Sequence, residues 1–497
     1  MTDRTWRQRL FSLQGTITVT ALFGLINAIA RLMKGTALAM DDAKTNVFTQ
    51  VWQWGYQPDN PPLFEWLIRL LHFVTGGGLI SFLIVKYVAL MIAAAFVHGT
   101  VRQYASARAA FAVATGMVLL YQIGWNYHEA FTHSALLIAG VAGVMWAGLR
   151  LVRQPGVRAA ALFGLMAGIA MMTKYNAALF IVPFLVALVW ARDTRGALLR
   201  PSAVLIPAVA AMVVLPHVLW FLNQTDAYNA SLAQTMGREG AYLSRVGEGL
   251  GSLIVSALTF FLPFGLVALW LGRQGGTVFG TLERLLLRTA WISLGLLAVA
   301  VIAAGMGNVS ERYLIPVLLP AYVAIASALL RRADEAFRPW FVACGGTALL
   351  VLVLRFAGAI FPGPPFCDRC LEFVPYDPLA IAIEAAVPDD AVLIVREENT
   401  GGNLVSRFPQ MPVRVFTSLT LTNPIKNDEH PCFFIWSEDM VWGVPLEPAV
   451  AFAYDDPATI MVQADWSRSI GGKEKSTLWG ITPLTGAAYT AFCTAER

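Results

Sequence analysis

Two adjacent carboxylates, Asp41 and Asp42, follow the first long apolar segment of the chain. Carboxylates beside a bilayer are costly unless they are solvated, paired or used in chemistry. Neighbouring carboxyl groups also perturb each other, so one can act as a general base while the other orients a substrate or a metal. The alternative is structural, because aspartates at the start of a helix cap it and offset its dipole. We predict that this pair is the chemical centre of the protein.

A second polar pair, Asp59 and Asn60, stands directly before two consecutive prolines. Pro-Pro is rigid and precedes a helix, so the pair would be held on a stiff turn before an amphipathic helix over 63–73. The alternative is that one of the two side chains caps that helix. Tyr56, a few residues earlier, is either a substrate contact or part of an interfacial aromatic belt.

Three cations lie in loops that the orientation argued below places outside the membrane: Lys174, Arg245 and Arg312. A cation at this surface is suited to bind a phosphate. The alternative for Lys174 and for Arg312 is snorkelling to the lipid headgroups, with Glu311 as a further candidate partner of Arg312. Arg245 shares a glycine-rich loop with Arg238, where both are either solvated or ordered by a ligand.

Glu129 and His133 are four residues apart, a spacing that places two metal ligands on one face of a helix. A hydrogen-bonded structural pair is the alternative. Together with Asp41, Asp42 and Asp59, they would complete a divalent-cation site of mixed oxygen and nitrogen ligands. We take Asp42, Glu129 and His133 as its tentative ligands.

The elements that must position these groups are membrane helices. Of the 497 residues, 57% are hydrophobic and 14% charged, against roughly 25% charged in soluble domains. This deficit predicts a polytopic α-helical membrane protein, and a net charge of +4 gives no support to a nucleic-acid partner. Eleven segments approach the length of about 20 apolar residues that a span needs. They are residues 11–32, 79–98, 109–124, 132–149, 157–173, 177–191, 202–222, 249–271, 285–305, 313–330 and 339–361.

Every second loop between these segments is basic, as in the loop that carries Arg150, Arg153 and Arg158. The positive-inside rule assigns these loops and the N-terminus to the cytoplasm. The other loops then face outward: 33–78, 125–131, 174–176, 223–248, 306–312 and everything after 362. These outward segments contain the polar residues described above, so we predict one site on the outer face.

Residues 363–497 differ in composition from the membrane domain predicted over 1–362. Short apolar runs at 391–395, 413–416, 433–436 and 477–481 read as strands that alternate with helical stretches. They predict a small α/β domain outside the membrane. Gly401-Gly402 follows the first of these strands, but the spacing of a phosphate-binding loop is missing.

Four of the five cysteines lie in this last part of the chain, and Cys344 lies in an apolar run. An even set in an extracytoplasmic domain permits disulfides. We predict Cys367–Cys370 first and Cys432–Cys493 second. The C-x-x-C spacing of the first pair also suits a redox or metal half-site, although no second C-x-x-C exists.

The order of these short motifs resembles the membrane-bound glycosyltransferases of the GT-C superfamily. The resemblance is greatest to the bacterial lipid A aminoarabinose transferases and protein O-mannosyltransferases, families 39 and 83. Two departures stand out: Asp42 replaces the usual Glu of the first motif, and Asn60 replaces the usual His or Lys before Pro-Pro. The matching segments are Asp41-Asp42-Ala43, Trp54-Gly55-Tyr56, Asp59-Asn60-Pro61-Pro62-Leu63, Thr173-Lys174-Tyr175-Asn176 and Glu311-Arg312-Tyr313-Leu314-Ile315-Pro316.

The resemblance implies about 11 transmembrane helices, outward juxtamembrane helices and a C-terminal periplasmic α/β domain in the bacterial inner membrane. It implies inverting transfer from a polyprenyl-phosphate sugar to an acceptor in the periplasmic leaflet, with or without a divalent metal. Asp41 would then be the base, a role worth typically 10²–10⁴-fold in rate. Lys174, Arg312 and Arg245 would bind the donor phosphate. The orienting residues would be Asp42, Asp59, Asn60, Tyr56, Asn176 and Tyr313.

The acceptor is left open between lipid A or other lipopolysaccharide, an arabinan-like glycan and a protein hydroxyl, with lipopolysaccharide preferred. A transporter or flippase of a lipid-linked sugar is the alternative function, and it would require charges at the membrane midplane or inverted repeats. A structural subunit or receptor would leave the outward clustering of Asp41, Asp59, Lys174 and Arg312 unexplained.

Overall fold

The computed structural model describes residues 6, 8–129, 132–224, 241–273, 277–332, 334–415, 430–437, 453 and 456–494. The chain forms two compact units. The first unit comprises Met1–Asn27, Pro58–Leu63 and Lys86–Leu352, and the second comprises Ala28–Gln57, Phe64–Val85 and Val353–Arg497. The predicted domain limit at residue 362 stays a prediction. Much of the first predicted outward loop, residues 33–78, belongs to the second unit together with the C-terminal part of the chain.

Helices make up most of the described chain. In order they are α1 Leu13–Leu32, α2 Met40–Phe48, α3 Leu63–Thr75, α4 Leu79–Val101, α5 Ala107–Thr115, α6 Tyr121–Gly124, α7 His133–Arg153, α8 Val157–Thr173, α9 Ala178–Trp190, α10 Leu205–Phe221, α11 Tyr242–Phe260, α12 Phe264–Gly272, α13 Thr281–Ala304, α14 Ile315–Arg332, α15 Phe337–Ile360, α16 Tyr376–Ala386, α17 Glu398–Arg407 and α18 Gly486–Tyr489. Short 3₁₀ turns connect several of them, among them Asn126–His128 and Glu311–Leu314.

The protein is a polytopic helical membrane protein, as predicted. Within the described ranges, seven helical stretches are long and apolar enough to cross a membrane, and three shorter ones are also apolar. Nine of the eleven predicted spans each coincide with one helix. Span 109–124 is divided into α5, a 3₁₀ turn at Gly116–Leu119 and α6, and span 249–271 is divided into α11 and α12 by a turn at Phe261–Pro263. Pro263 cannot continue a helical hydrogen-bond ladder, which accounts for the division of 249–271. The number of spans stays a prediction.

Small residues allow close packing around α8 in the first unit. A Cβ atom built on Gly164 would lie 2.5 Å from the carbonyl oxygen of Ile206, and one built on Gly168 would lie 2.7 Å from the Cβ of Val213. Glycine four residues apart permits this backbone approach in membrane helices. The contact with α10 fixes the course of α8, and so fixes where Lys174 emerges at its end.

The second unit contains a mixed five-stranded sheet with the order β2-β1-β3-β5-β4. β1 pairs in parallel with β2 and β3, whereas β5 pairs antiparallel with β3 and β4. The four predicted strands are confirmed within the described residues (Phe416 lies outside them), and β4 is an additional strand. The strands are β1 Val392–Val395, β2 Val413–Val415, β3 Cys432–Ser437, β4 Ile460–Asp465 and β5 Ser476–Pro483.

Both predicted disulfides, Cys367–Cys370 and Cys432–Cys493, are present in this unit. The buried face of the sheet packs against α16 and α17 through a continuous apolar core. That core includes Leu379, Leu393 and Leu404, which are fully buried. The α/β architecture predicted for the C-terminal region is therefore confirmed.

Candidate functional site

A polar cleft of about 400 Å³ opens in the first unit. This volume lies in the range of small-molecule sites. Its walls come from three segments, each of which the sequence predicts to face outward. The lining residues are Asn126, Glu129, Lys174, Ser310, Glu311, Arg312 and Tyr313. The structure thus brings together four of the predicted site residues, Glu129, Lys174, Arg312 and Tyr313.

Lys174 enters the cleft at the end of α8, where its backbone becomes extended. Its ammonium group donates a hydrogen bond to the hydroxyl of Ser134, over an Nζ–Oγ distance of 3.1 Å. The same nitrogen lies 5.8 Å from the centre of the Tyr313 ring, within the range of a cation–π contact. Both contacts orient the ammonium in the cleft.

Arg312 is positioned by a loop that α11 holds in place. Ser256 donates a hydrogen bond from its hydroxyl to the Val309 carbonyl at 2.7 Å, and Ser252 accepts one from the Val309 amide at 2.9 Å. Ser310 then caps the 3₁₀ turn Glu311–Leu314 by accepting from the amide of Arg312 at 3.5 Å. A rigid helix thereby sets the backbone from which the guanidinium extends.

Glu129 lines the cleft with help from a cation that the sequence analysis did not single out. Lys86, which is 3% exposed, donates from its ammonium to the backbone carbonyl of Glu129. Tyr127 donates from its hydroxyl to the Lys86 carbonyl at 2.5 Å, so the two segments are tied twice. The available signal was a single charged residue inside the apolar run 79–98, since such residues commonly mark function.

Two predicted amides, Asn60 and Asn176, carry buried polar atoms in the first unit. In the part of the chain that the structure describes, the Asn60 Oδ1 atom and both polar atoms of Asn176 have no hydrogen-bond partner. An unsatisfied buried amide is costly. Both side chains therefore have bonding capacity for a polar ligand, and Asn176 lies two residues from Lys174. Asp59 is half-buried beside Asn60.

Asp41 and Asp42 belong to the second unit, in the first turn of α2. The Asp41 side chain is exposed, whereas Asp42 is 4% exposed. The N-cap residue of α2 is Ala39, and its side chain makes no capping bond. Neither aspartate is thus the cap that the structural alternative envisaged, although both are placed to offset the helix dipole.

Tyr56, also in the second unit, uses its hydroxyl within its own loop. The hydroxyl donates to the Val51 carbonyl at 2.8 Å and accepts from the Gln53 amide at 3.3 Å. Burial raises the pKa of Tyr56 to about 12. The side chain therefore stabilises the loop between α2 and α3, and its predicted contact with a substrate stays a prediction.

Arg245 does not lie in a loop, because α11 begins at Tyr242 and includes it. Its Nη2 atom would be 3.2 Å from a Cβ built on Gly305, the residue that ends α13. A cation beside the carbonyl end of a helix is favourable. Arg238, from the same predicted loop, lies outside the described residues.

The metal-ligand spacing of Glu129 and His133 does not occur on one helix face. Glu129 follows the 3₁₀ turn Asn126–His128, and α7 begins only at His133, whose Nδ1 lies 3.3 Å from the Thr132 hydroxyl. Among the described residues, no group of three His, Cys, Asp or Glu side chains is arranged to hold a metal. The metal stays a prediction.

Comparisons with known proteins agree with the family resemblance described in the sequence analysis. Residues 59–220 match the family described as dolichyl-phosphate-mannose-protein mannosyltransferase. The chain is 28% identical to the lipopolysaccharide core galacturonosyltransferase RgtA of Rhizobium johnstonii, over 79% of this chain and 80% of that protein. It is 25% identical to RgtB of the same organism, over 84% and 85%.

The fold is also that of a solved structure. The crystal structure of ArnT from Cupriavidus metallidurans bound to undecaprenyl phosphate matches with a TM-score of 0.64 at 12% identity. The match covers 95% of this chain and 98% of that one. At this identity the match speaks for the fold, including the membrane helices and the small C-terminal sheet.

Proposed function

We propose that this chain, which is a membrane glycosyltransferase of the GT-C superfamily, transfers a sugar from a polyprenyl-phosphate donor to lipopolysaccharide. The donor and acceptor would meet at the periplasmic face of the bacterial inner membrane. A galacturonosyl group is the first sugar to consider, because two relatives that align over about four fifths of their length are named for that transfer.

The observation that carries this proposal is the polar cleft that contains both Lys174 and Arg312. Two cations in one small cavity suit a phosphate, whose charge grows as the glycosidic bond breaks. Tyr313 and Ser134 orient Lys174, and a helix-anchored loop orients Arg312. The unsatisfied amides of Asn60 and Asn176 offer hydrogen bonds for sugar hydroxyls or phosphate oxygens.

The proposed reaction is a single displacement at the anomeric carbon. The acceptor hydroxyl oxygen forms the new bond to that carbon, and its proton passes to the carboxylate of Asp41. The bond between the anomeric carbon and the phosphate oxygen breaks, and polyprenyl phosphate leaves with the electron pair. One displacement inverts the anomeric configuration. A positioned base contributes typically 10²–10⁴-fold to such a step.

The other predicted site residues take supporting roles in this proposal. Asp42 would orient the base or the acceptor, and Asp59 would orient the donor sugar. Arg245 would add positive charge for the phosphate. Tyr56 would keep the loop after α2 in place, which agrees with its hydrogen bonds to Val51 and Gln53.

The test is sugar transfer by the full chain in proteoliposomes, with Asp41→Asn as the inactive control. The donors are polyprenyl-phosphate galacturonic acid, aminoarabinose and mannose, each offered with core lipopolysaccharide or lipid A alone. We expect transfer of galacturonic acid to the core and an inverted product by NMR. Transfer of another sugar would revise the donor, and transfer to lipid A alone would revise the acceptor. No transfer from any donor, with the lipid-linked sugar instead crossing the bilayer, would replace the proposal by a flippase.

A further inference from the structure

The chain enters α2 through a strained residue. Met40, directly before Asp41, has a φ of +46°, in the left-handed region that residues other than glycine rarely adopt. Such a conformation persists only where the surrounding structure imposes it, and it is typical of functional sites. The contacts that hold Met40 therefore also set the direction in which α2 and its two aspartates begin.

Two asparagines one turn apart on α17 hold the backbone before Asp41. The Asn403 Oδ1 atom accepts from the Leu38 amide at 2.8 Å, and its Nδ2 atom donates to the Leu38 carbonyl at 2.9 Å. The Asn399 Oδ1 atom accepts from the Met40 amide at 3.2 Å. These three hydrogen bonds fix both sides of the turn that leads into α2, and they come from residues more than 350 positions later in the chain.

A glycine on α17 lets α2 approach at backbone distance. A Cβ atom built on Gly402 would lie 2.0 Å from the Ala43 carbonyl oxygen, a separation that no side chain can occupy. Asn46 reaches back in the other direction and donates to the Gly402 carbonyl at 2.7 Å and to the Ser406 hydroxyl at 2.9 Å. The Gly401-Gly402 pair thus serves helix packing, and it is part of a helix, not of a phosphate-binding loop.

The support for these contacts is itself rigid. α17 packs on the sheet with Leu404 and Val405 in the apolar core. The Asn399 Nδ2 atom donates to the hydroxyl of the fully buried Tyr376 at 2.8 Å, which fixes the orientation of the amide. A catalytic group is effective when the residues that support it are locked in this way.

We propose that Asn399, Gly402 and Asn403 are positioning residues for the transfer reaction. They hold the strained turn at Met40 and the start of α2, so that the exposed Asp41 carboxylate points in one direction for proton removal. This rests on the proposed function, in which Asp41 is the base. The α/β part of the chain is then a support for the catalytic helix, and a small misplacement of a reacting group can cost on the order of 10²-fold in rate.

The test compares Asn403→Leu and Gly402→Ala with the control Arg407→Leu in the full-length protein. Arg407 lies on the same helix, and its guanidinium pairs with Asp377 at 3.1 and 2.6 Å and donates to the Asn403 backbone carbonyl at 3.3 Å, so Arg407→Leu leaves the side-chain bonds from Asn403 to Leu38 in place. Alanine favours helix more than glycine does, so Gly402→Ala disturbs α2 without weakening α17 itself. We expect kcat to fall about 10- to 100-fold in both test variants, with the donor KM within about twofold of the control and faster hydrogen exchange over residues 36–48.

Each result decides the proposal. If both variants keep the kcat of the control, or lose donor affinity at unchanged kcat, the positioning role is wrong while the transferase remains. Asn403→Asp, which keeps the acceptor for the Leu38 amide and loses the donor, should fall between wild type and Asn403→Leu. If wild type transfers no sugar, the proposed function fails. Hydrogen exchange over residues 36–48 then tests only whether Asn403 and Gly402 hold the start of α2. Unchanged protection from hydrogen exchange in Asn403→Leu and Gly402→Ala would show that these residues do not hold the start of α2.

Discussion

The cleft of the first unit and the α2–α17 contact of the second differ in how they are built. The cleft is assembled from loops, and its walls carry charged side chains such as Lys174 and Arg312 around an open volume. In the α2–α17 contact, amide groups and a glycine bring backbones together. The first arrangement is suited to receive a ligand, and the second is suited to hold a helix still. Substitutions in the cleft should therefore change donor binding, and substitutions in the contact should change the position of the helix that carries Asp41.

The largest effect is expected at the tip of the held helix. Asp41→Asn removes the proposed base but keeps the shape of an exposed side chain, so kcat should fall by about 10²–10⁴-fold with little change in thermal stability. Steady-state transfer and a melting curve measure the two quantities. Lys44→Gln is the matched control, since it removes only a partly exposed ion pair with Glu398 at 3.7 Å. Normal transfer by Asp41→Asn would move the base to Asp42 or Glu129.

The cleft should respond in affinity. Arg312→Gln and Lys174→Gln each remove one charge-assisted hydrogen bond to the donor phosphate, worth roughly 1.5–3 kcal/mol, or about 10- to 100-fold in donor affinity. Binding of a polyprenyl-phosphate sugar to protein in nanodiscs measures this directly. Arg153→Gln, an exposed position at the end of α7, should bind the donor as wild type does. Equal donor affinity in all three variants would show that the donor phosphate does not bind in the cleft.

The smallest effect concerns the stability of the support, through Glu397 at the N-cap of α17. Burial of its carboxylate raises the pKa to about 7, although Thr400 donates to it. A pKa above the unfolded value of about 4.5 means that the folded state binds the proton more tightly. The contribution of protonated Glu397 to the unfolding free energy is therefore complete below about pH 4.5. It is lost as the pH rises through about 7, and the loss is at most about 3 kcal/mol.

Glu397→Gln keeps the capping oxygen and has no proton to lose. Its unfolding free energy should lack this decline and exceed that of wild type at pH 8. Thermal unfolding of the whole chain between pH 5 and 8 measures the difference. Glu384→Gln, an exposed position on α16, is the control and should behave as wild type does. An identical pH dependence in Glu397→Gln and wild type would show that the carboxylate is not responsible.

Local patterns account for what was predicted correctly. Hydrophobic runs located the helices, because a span must be apolar along its whole length. The alternation of basic loops grouped 125–131, 174–176 and 306–312 on one side, and the structure brings residues of all three into one cleft. Apolar strand patterns located four of the five strands, and cysteine placement was sufficient for both disulfides. β4 was missed because it is an edge strand whose residues are mostly exposed.

Where prediction failed, the deciding contact came from a distant part of the chain or from a local break. Glu129 and His133 have helical spacing, but the helix starts only at the second of them. Arg245 was placed in a loop because the apolar run begins only at residue 249, whereas the helix already begins at Tyr242. The sequence correctly predicted that Gly401-Gly402 is not a phosphate-binding loop. Its role in packing α17 against α2 could not be predicted, because Ala43 lies more than 350 residues away in the chain.

The sequence by itself thus determined that this chain is a polytopic helical membrane protein, that the loops 125–131, 174–176 and 306–312 belong together, and which charged residues are available for chemistry. These properties follow from composition and period, which are local. Only the tertiary structure decided that Lys174 and Arg312 share a cavity, that Lys86 supports Glu129, and that α17 holds the turn before Asp41. These contacts join segments that are far apart in the chain. They depend on how the side chains of those segments fit together in the packed interior, which cannot be read from any one short stretch of sequence.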